Sequence, residues 1–315
     1  MLKYIIRRLL LIIPTVFLAG TLVFFMLRVL PGDLVTVLTS EGGATEETKA
    51  KLRADLGLDD PLAVQYVRWL WSTARGQLGY SHYQDRYVSE TVRDKLETTL
   101  TLALMAMAFS LLLAFPLGII SAIKRGSWWD QGIRVSTALS LAVPPFWLGI
   151  LMIIVMSKLF NWTPPILYAS FFKDPLTNLT QMAFPVLATG LTSTAIISRL
   201  IRSMMLEVLR EDYVRTARAK GLVEHVVIVR HTLRNALIPV LTMAGFHFSF
   251  ILSGVVVIEN VFGIPGLGQQ ILASIFARDY DMVLGIVLAL TVILATWILL
   301  VDLLYSVLDP RIRYG

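Results

Sequence analysis

The sequence predicts an all-α integral membrane protein with six transmembrane helices. Three observations carry this expectation. The 315 residues are 56% hydrophobic and only 16% charged, against about 25% charged in a typical soluble domain. Six long windows hold no charge at all, and Lys and Arg collect on one side of the alternating loops.

The windows are residues 9–27, 98–123, 135–157, 175–198, 235–258 and 282–301. A hydrocarbon core of about 30 Å needs roughly 20 apolar residues at 1.5 Å rise each, so each window can span it. The first follows Lys3, Arg7 and Arg8 as a signal peptide would. At 19 residues it exceeds an apolar signal core of about 7–15 residues, and no convincing small-x-small cleavage site follows; it is read as a retained span. The fourth opens on polar Pro175-Leu176-Thr177-Asn178, so its helix is expected from near Met182, continuing past Arg199. Pro116, Pro144, Pro145 and Pro185 lie inside windows and read as packing kinks; Pro144-Pro145 is the pair best placed to line a pathway.

Charge sets the orientation. Lys3, Arg7 and Arg8, then Lys124 and Arg125, the run from Arg199 to Arg234, and Arg311 with Arg313 fall on one side, so both termini are expected in the cytoplasm. The same bias explains the net charge of +6 without a nucleic-acid partner. Residues 1–30 then form the cytoplasmic N-terminus and first helix, 31–98 an external helical insertion, and 99–315 a five-helix core. The insertion carries eight basic and eleven acidic residues. Thr45 to Leu56 reads as a helix closed by Gly57, and Asp60-Pro61 as an N-cap and first helical residue before Leu62, Tyr66, Trp69 and Leu70, ending at Gly76. Tyr66, Trp69 and Trp71 read as packing or headgroup anchors.

The cytoplasmic stretch between the fourth and fifth windows is basic yet periodic. Met205, Leu206, Leu209, Tyr213 and Ala217 keep helical spacing up to Gly221, and Val226, Val229, Leu233 and Leu237 resume it. A left-handed glycine would close one helix and turn into the next. On charge alone, such a pair could equally be a basic anchor on anionic lipid.

Rival chemistry has little footing. With no cysteine, disulfides, Fe-S clusters and thiolate metal sites are excluded. No serine, zinc or aspartyl protease motif occurs, no phosphate loop could hold ATP, and His82, His225, His231 and His247 lack ligand spacing. No filter-like ring suggests an ion channel. His247, the one histidine inside a window, could face a solute pathway or bond a neighbouring helix carbonyl, the second being favoured. Glu259 is expected at the interface after the fifth span, with a gate or partner contact as the alternative.

The segment Glu211-Asp212-Tyr213-Val214-Arg215-Thr216-Ala217-Arg218-Ala219-Lys220-Gly221, followed by Arg230-His231-Thr232-Leu233-Arg234-Asn235-Ala236-Leu237-Ile238-Pro239, resembles the EAA loop of binding-protein-dependent ABC importer permeases. Gly221 and Pro239 stand eighteen positions apart, as that signature requires. Arg215-Thr216-Ala217 replaces Glu-Ala-Ala, a variant similar to the dipeptide and oligopeptide branch, so a Glu-mediated contact does not carry over. Pro31-Gly32-Asp33, Leu56-Gly57-Leu58-Asp59, Gly79-Tyr80-Ser81, the run from Glu259 to Gly268 and the ending Asp302-Leu303-Leu304-Tyr305 with Asp309-Pro310-Arg311 extend the resemblance along the chain.

The resemblance implies a type I importer fold in a bacterial or archaeal inner membrane. It implies a second permease subunit forming a heterodimer, two cytoplasmic ATPases that hold the ATP and Mg, and an external solute-binding protein; this chain would hold no cofactor. A coupling loop over about 204–239 would dock on an ATPase through Tyr213, Arg215, Thr216, Ala217, Ala219, Gly221, Asn235 and Pro239. Pro144, Pro145, His247 and Glu259 are the pathway candidates. Peptides are the leading solute; glutathione, nickel chelates and oligosaccharides are the alternatives, and an intramembrane enzyme the more distant one.

Overall fold

A computed structural model describes residues 2–29, 32–39 and 45–308. Pro31 and the ending Asp309-Pro310-Arg311 lie outside the described residues. Helix α1 (Leu2–Val29) is followed by the short α2 (Leu34–Leu38), α3 (Glu46–Asp55) and α4 (Leu62–Ala74). A two-residue hairpin, β1 (Tyr80–Ser81) and β2 (Arg86–Tyr87), pairs antiparallel with Tyr80 opposite Tyr87. Then come α5 (Val88–Ile123), α6 (Trp128–Ala142), α7 (Pro145–Phe160) and α8 (Pro175–Val208). The stretch after α8 holds α9 (Asp212–Ala219), the single turn α10 (Glu224–Val226) and a π-helical turn, Val227–Leu233, that runs into α11 (Arg234–Phe262). Helices α12 (Leu267–Phe276) and α13 (Tyr280–Leu308) complete the chain.

Among the described residues five helices are long and apolar enough to cross a membrane, or six if the bent pair α6 and α7 is counted as one span. That pair corrects the reading of window 135–157 as one kinked helix. The two halves meet at 96°, because Val143 and Pro144 are extended and Pro145 opens a new helix at its first position, where a proline's missing N–H costs nothing. Helix α8 also starts earlier than expected. Asp174 caps it by accepting from the Thr177 N–H at 3.1 Å, which compensates the polar opening and brings Pro175 into the first turn.

In α3 the expected punctuation holds, with Thr45 as N-cap and Gly57 at φ +64°. In α4 it shifts by one residue. Pro61 rather than Asp60 occupies the N-cap position, and the Asp60 carboxylate instead accepts from Arg68 at 2.7 Å.

The chain forms two compact units, one of residues up to Glu97 plus Pro265–Thr296, the other of Thr98–Ile264 plus the chain from Trp297 onward. In the first, Phe24 and Leu27 of α1 pack with Val283 and Leu284 of α13 against Tyr66 and Trp69 of α4. A second cluster joins Val88, Leu267, Met282 and Ile286. The buried Asp279 carboxylate caps α13 through the Met282 N–H at 3.2 Å and accepts from the Ser81 hydroxyl.

In the second unit α8 is the central helix, and small residues let its neighbours approach. A Cβ on Gly190 would stand 2.5 Å from Phe109 Cδ1, and one on Gly118 would stand 2.7 Å from the Ser198 carbonyl oxygen. Ser110 donates to the Gly190 carbonyl at 2.9 Å. Helices α5 and α8 are thus in backbone-level contact at both places, as small-residue interfaces permit in membranes. Helix α13 is fixed on α11 in the same way: Trp297 Nε1 donates to the Gly245 carbonyl at 2.8 Å and its ring lies 4.0 Å from that of Phe248.

The candidate coupling site

The site is built from the two short helices between α8 and α11 and the turn between them. Helix α9 ends where the Gly221 N–H reaches the Arg218 carbonyl at 2.9 Å and the Leu222 N–H points to the Ala217 carbonyl at 3.4 Å. These bonds require a left-handed residue, and Gly221 has φ +74°. Nothing lies within 4 Å of where its Cβ would be, so the glycine is demanded by backbone conformation and not by crowding.

One face of α9 is pinned. Val214, Ala217 and Val227 are buried together, with Val208 and Leu209 packed against them. Tyr213, expected on this face, is exposed and Val214 takes its place. The Tyr213 hydroxyl instead accepts from Asn235 Nδ2 at 3.0 Å, tying α9 to the start of α11. Across the turn Arg218 forms a two-pronged pair with Glu224 at 3.1 and 2.8 Å. Arg218 donating hydrogen bonds holds the Glu224 carboxyl below its ordinary range.

Beyond the turn the expected positions Val226, Val229, Leu233 and Leu237 are not the buried ones. Val227, Thr232, Ala236 and Val240 are, at successive spacings of five, four and four. The π turn explains the shift, since it adds a residue to the turn and breaks the 3.6 period. Thr232 Oγ1 donates to the Val227 carbonyl at 3.1 Å, five residues back.

What remains outward is a coherent surface. Arg215, Thr216, Ala219, Lys220 and Gly221 are exposed, as are Asn235 and Pro239; of the expected docking residues, Ala217 is buried. The surface is basic and has a small residue, Ala219, at its centre. Helix α9 has eight residues, too few to be stable alone, so its position is dictated by the core beneath it.

Directly upstream lies an ionic clamp that sequence reasoning did not assign. Buried Asp130, on the first turn of α6, accepts from Arg202 Nε and Nη2 of α8, both at 2.9 Å, from the Gly126 N–H at 2.9 Å, and from the Ser121 hydroxyl of α5. It joins three helices within two turns of the Val208 end of α8. The signal was an isolated acid, Asp130, following Lys124 and Arg125.

The pathway candidates occupy the α6–α7 break and α11. Pro144 and Pro145 sit at the α6–α7 break, where Gly149 packs against the Phe262 ring. His247 Nε2 meets the Ser193 hydroxyl of α8 at 3.1 Å, so its partner is a side-chain oxygen and not a carbonyl. Glu259 lies within the last turn of α11, fully buried, and accepts from Thr99 Oγ1 at 2.6 Å. That burial leaves it no exposed surface on which to meet a partner.

The second unit is thus a bundle of long apolar helices with a helix–glycine–helix hairpin between α8 and α11, and the comparisons with known proteins define its class as a transport permease. Residues 114–314 match the family described as binding-protein-dependent transport system inner membrane component, and residues 1–103 match the N-terminal model of the same systems; the chain belongs to this family. It is 39% identical over 310 residues to a putative peptide transport system permease of Brucella abortus strain 2308, covering 98% of each chain. It is 38% identical over 337 aligned positions to the dipeptide transport system permease DppB of Escherichia coli K12, covering 100% of this chain and 99% of that one. Two solved structures share the fold. The methionine ABC transporter MetNI, inward facing, matches at TM-score 0.57 and 17% identity over 70% of this chain and 97% of its own. An amino acid ABC transporter crystallised with histidines matches at 0.55 and 16%, over 71% and 95%.

Proposed function

We propose that this chain forms half of the translocation pathway of an ATP-driven importer for dipeptides and oligopeptides, and that the α9–Gly221–α10 hairpin is where a cytoplasmic ATPase subunit docks. The partners are a second permease subunit, two ATPases that carry the ATP and Mg, and an external solute-binding protein. Both termini face the cytoplasm. The peptide class follows from the names of the full-length relatives, and the orientation from the distribution of Lys and Arg.

The observation that carries the docking reading is the contrast within the hairpin. Its inner face is locked by Val214, Ala217, Val227 and the Tyr213–Asn235 bond, whereas its outer face is exposed. A short helix held this rigidly transmits displacement: when ATPase closure moves it, α8 and α11, which it joins, must move as well. Alternating access is then a shift between two packed arrangements. Tyr213, Arg215, Thr216, Ala219, Gly221, Asn235 and Pro239 supply or support the docking face, and Ala217 anchors it from below.

The test is hydrolysis in the reconstituted complex. Peptide-loaded binding protein should stimulate ATPase activity only when all partners are present, and this chain alone in lipid should hydrolyse nothing. Solute-coupled hydrolysis by the isolated chain refutes the proposal.

A further inference from the structure

One helix face outside the coupling site has no explained partner. Helix α4 packs on α1 through Tyr66 and Trp69: the Thr21 and Tyr66 hydroxyls are 2.9 Å apart, Phe25 stacks on Tyr66 at 5.3 Å, and a Cβ on Gly20 would stand 2.7 Å from the Trp69 ring. Gln65 accepts from Arg28 Nε at 3.0 Å. The opposite face of α4 carries Val64, Val67 and Trp71, exposed by 45%, 62% and 62%. Such a face on a free surface would lose the free energy of apolar burial.

Depth identifies what covers it. Arg8 and Arg28 bound the charge-free part of α1, and at 1.5 Å per residue that length matches a hydrocarbon core of about 30 Å. The α4 contacts run from Arg28 back to Gly20, so α4 lies against the last 12 Å or so of the membrane-crossing part of α1. Phe25, exposed by 44%, lies beside Tyr66 and continues the apolar surface of α1 onto α4. Charges stand at the edges of the α4 face. Arg68 is paired with Asp60 at 2.7 Å, and the Arg75 guanidinium sits 4.6 Å above the Trp71 ring, a pairing suited to the membrane–water boundary.

We propose that α4 is an interfacial helix whose Val64, Val67 and Trp71 face is seated in the phospholipid leaflet at the C-terminal end of α1, so that the segment between α1 and α5 is tied to the membrane along α4 as well as at its two ends. The arrangement is that of an amphipathic helix lying in the interface plane, with a tryptophan at its rim. It rests on α1 and α4 alone and is independent of the docking reading.

The chain's lack of cysteine makes the test direct. Val67→Cys, in a complex whose other subunits are cysteine-free, is labelled with the fluorophore NBD and placed in phosphatidylcholine–phosphatidylglycerol nanodiscs. Gln77→Cys, on the exposed loop after α4, is the reference. Phosphatidylcholine with a nitroxide high on its acyl chain should quench the Val67 label severalfold more than aqueous iodide does, with the ratio reversed at Gln77. Trp71→Cys should behave as Val67→Cys does. Iodide quenching at Val67 equal to that at Gln77 overturns the proposal, and a label shielded from both quenchers overturns it in favour of a protein partner.

Discussion

Replacing Gly221 by valine acts first on one backbone dihedral. The site has φ +74° and open space around the missing Cβ, so no clash contributes. The cost is that of a left-handed non-glycine residue, about 1–2 kcal/mol, and a β-branched side chain stands at the upper end or beyond. The cap can escape only by giving up the bonds to the Arg218 and Ala217 carbonyls, which also pulls Arg218 from Glu224. A difference of that size changes the ratio of competent to displaced hairpin by roughly 5–30-fold. Insertion and binding-protein contact should be spared, whereas peptide uptake and ATPase co-purification should both fall by that order. Gly221→Ala should fall between Gly221→Val and the parent. A lipid-anchor role for the hairpin forecasts the reverse: Gly221→Val would be silent, and joint neutralisation of Arg210, Arg215 and Lys220, which spares the Arg218–Glu224 pair, would be severe. Full uptake by Gly221→Val at normal expression refutes the coupling assignment.

Other outcomes follow from the same structure. Asp130→Asn leaves the Arg202 guanidinium without its charge partner; loss of a buried pair costs up to about 3–5 kcal/mol, discounted because Arg202 is 23% exposed, and the thermal midpoint in detergent should drop, with partial recovery on adding Arg202→Met. Burial raises the Asp279 carboxyl above its ordinary 3.8, so the folded state holds that proton more tightly than the unfolded one. Stability contributed there is present below pH 3.8 and lost as pH rises through the raised value, and Asp279→Asn should flatten that part of the melting profile. For orientation, an impermeant thiol reagent applied to intact cells should label Gln77→Cys and spare Arg125→Cys; the opposite pattern would invert the topology.

Much of this molecule was legible because its strongest signals are local. Uninterrupted apolar windows, Thr45 and Gly57 around α3, and Gly221 at its turn each depend on a few adjacent residues. What escaped depends on partners far along the chain. Asp130 and Arg202 are 72 positions apart, Thr99 and Glu259 are 160, and Ser81 and Asp279 are 198, so neither member of a pair signals the other. The α6–α7 break was visible as two prolines, but the extended conformation of Val143 and Pro144 that separates the two helices is not written in the pair itself. The buried face after Gly221 was misplaced for a different reason: a period of 3.6 was assumed where the backbone adopts a π turn, and every later position rotated with it.

If α9 is the element an ATPase subunit grips, proximity measures it without relying on transport. A photo-crosslinking residue placed at Ala219, exposed in the last turn of α9, should give one dominant adduct in the assembled complex. Its mass should equal this chain plus one ATPase subunit, and its yield should change between nucleotide-free and ATP-trapped states. Adducts to lipid alone, in a complex that retains its ATPases and hydrolyses ATP, would contradict the account.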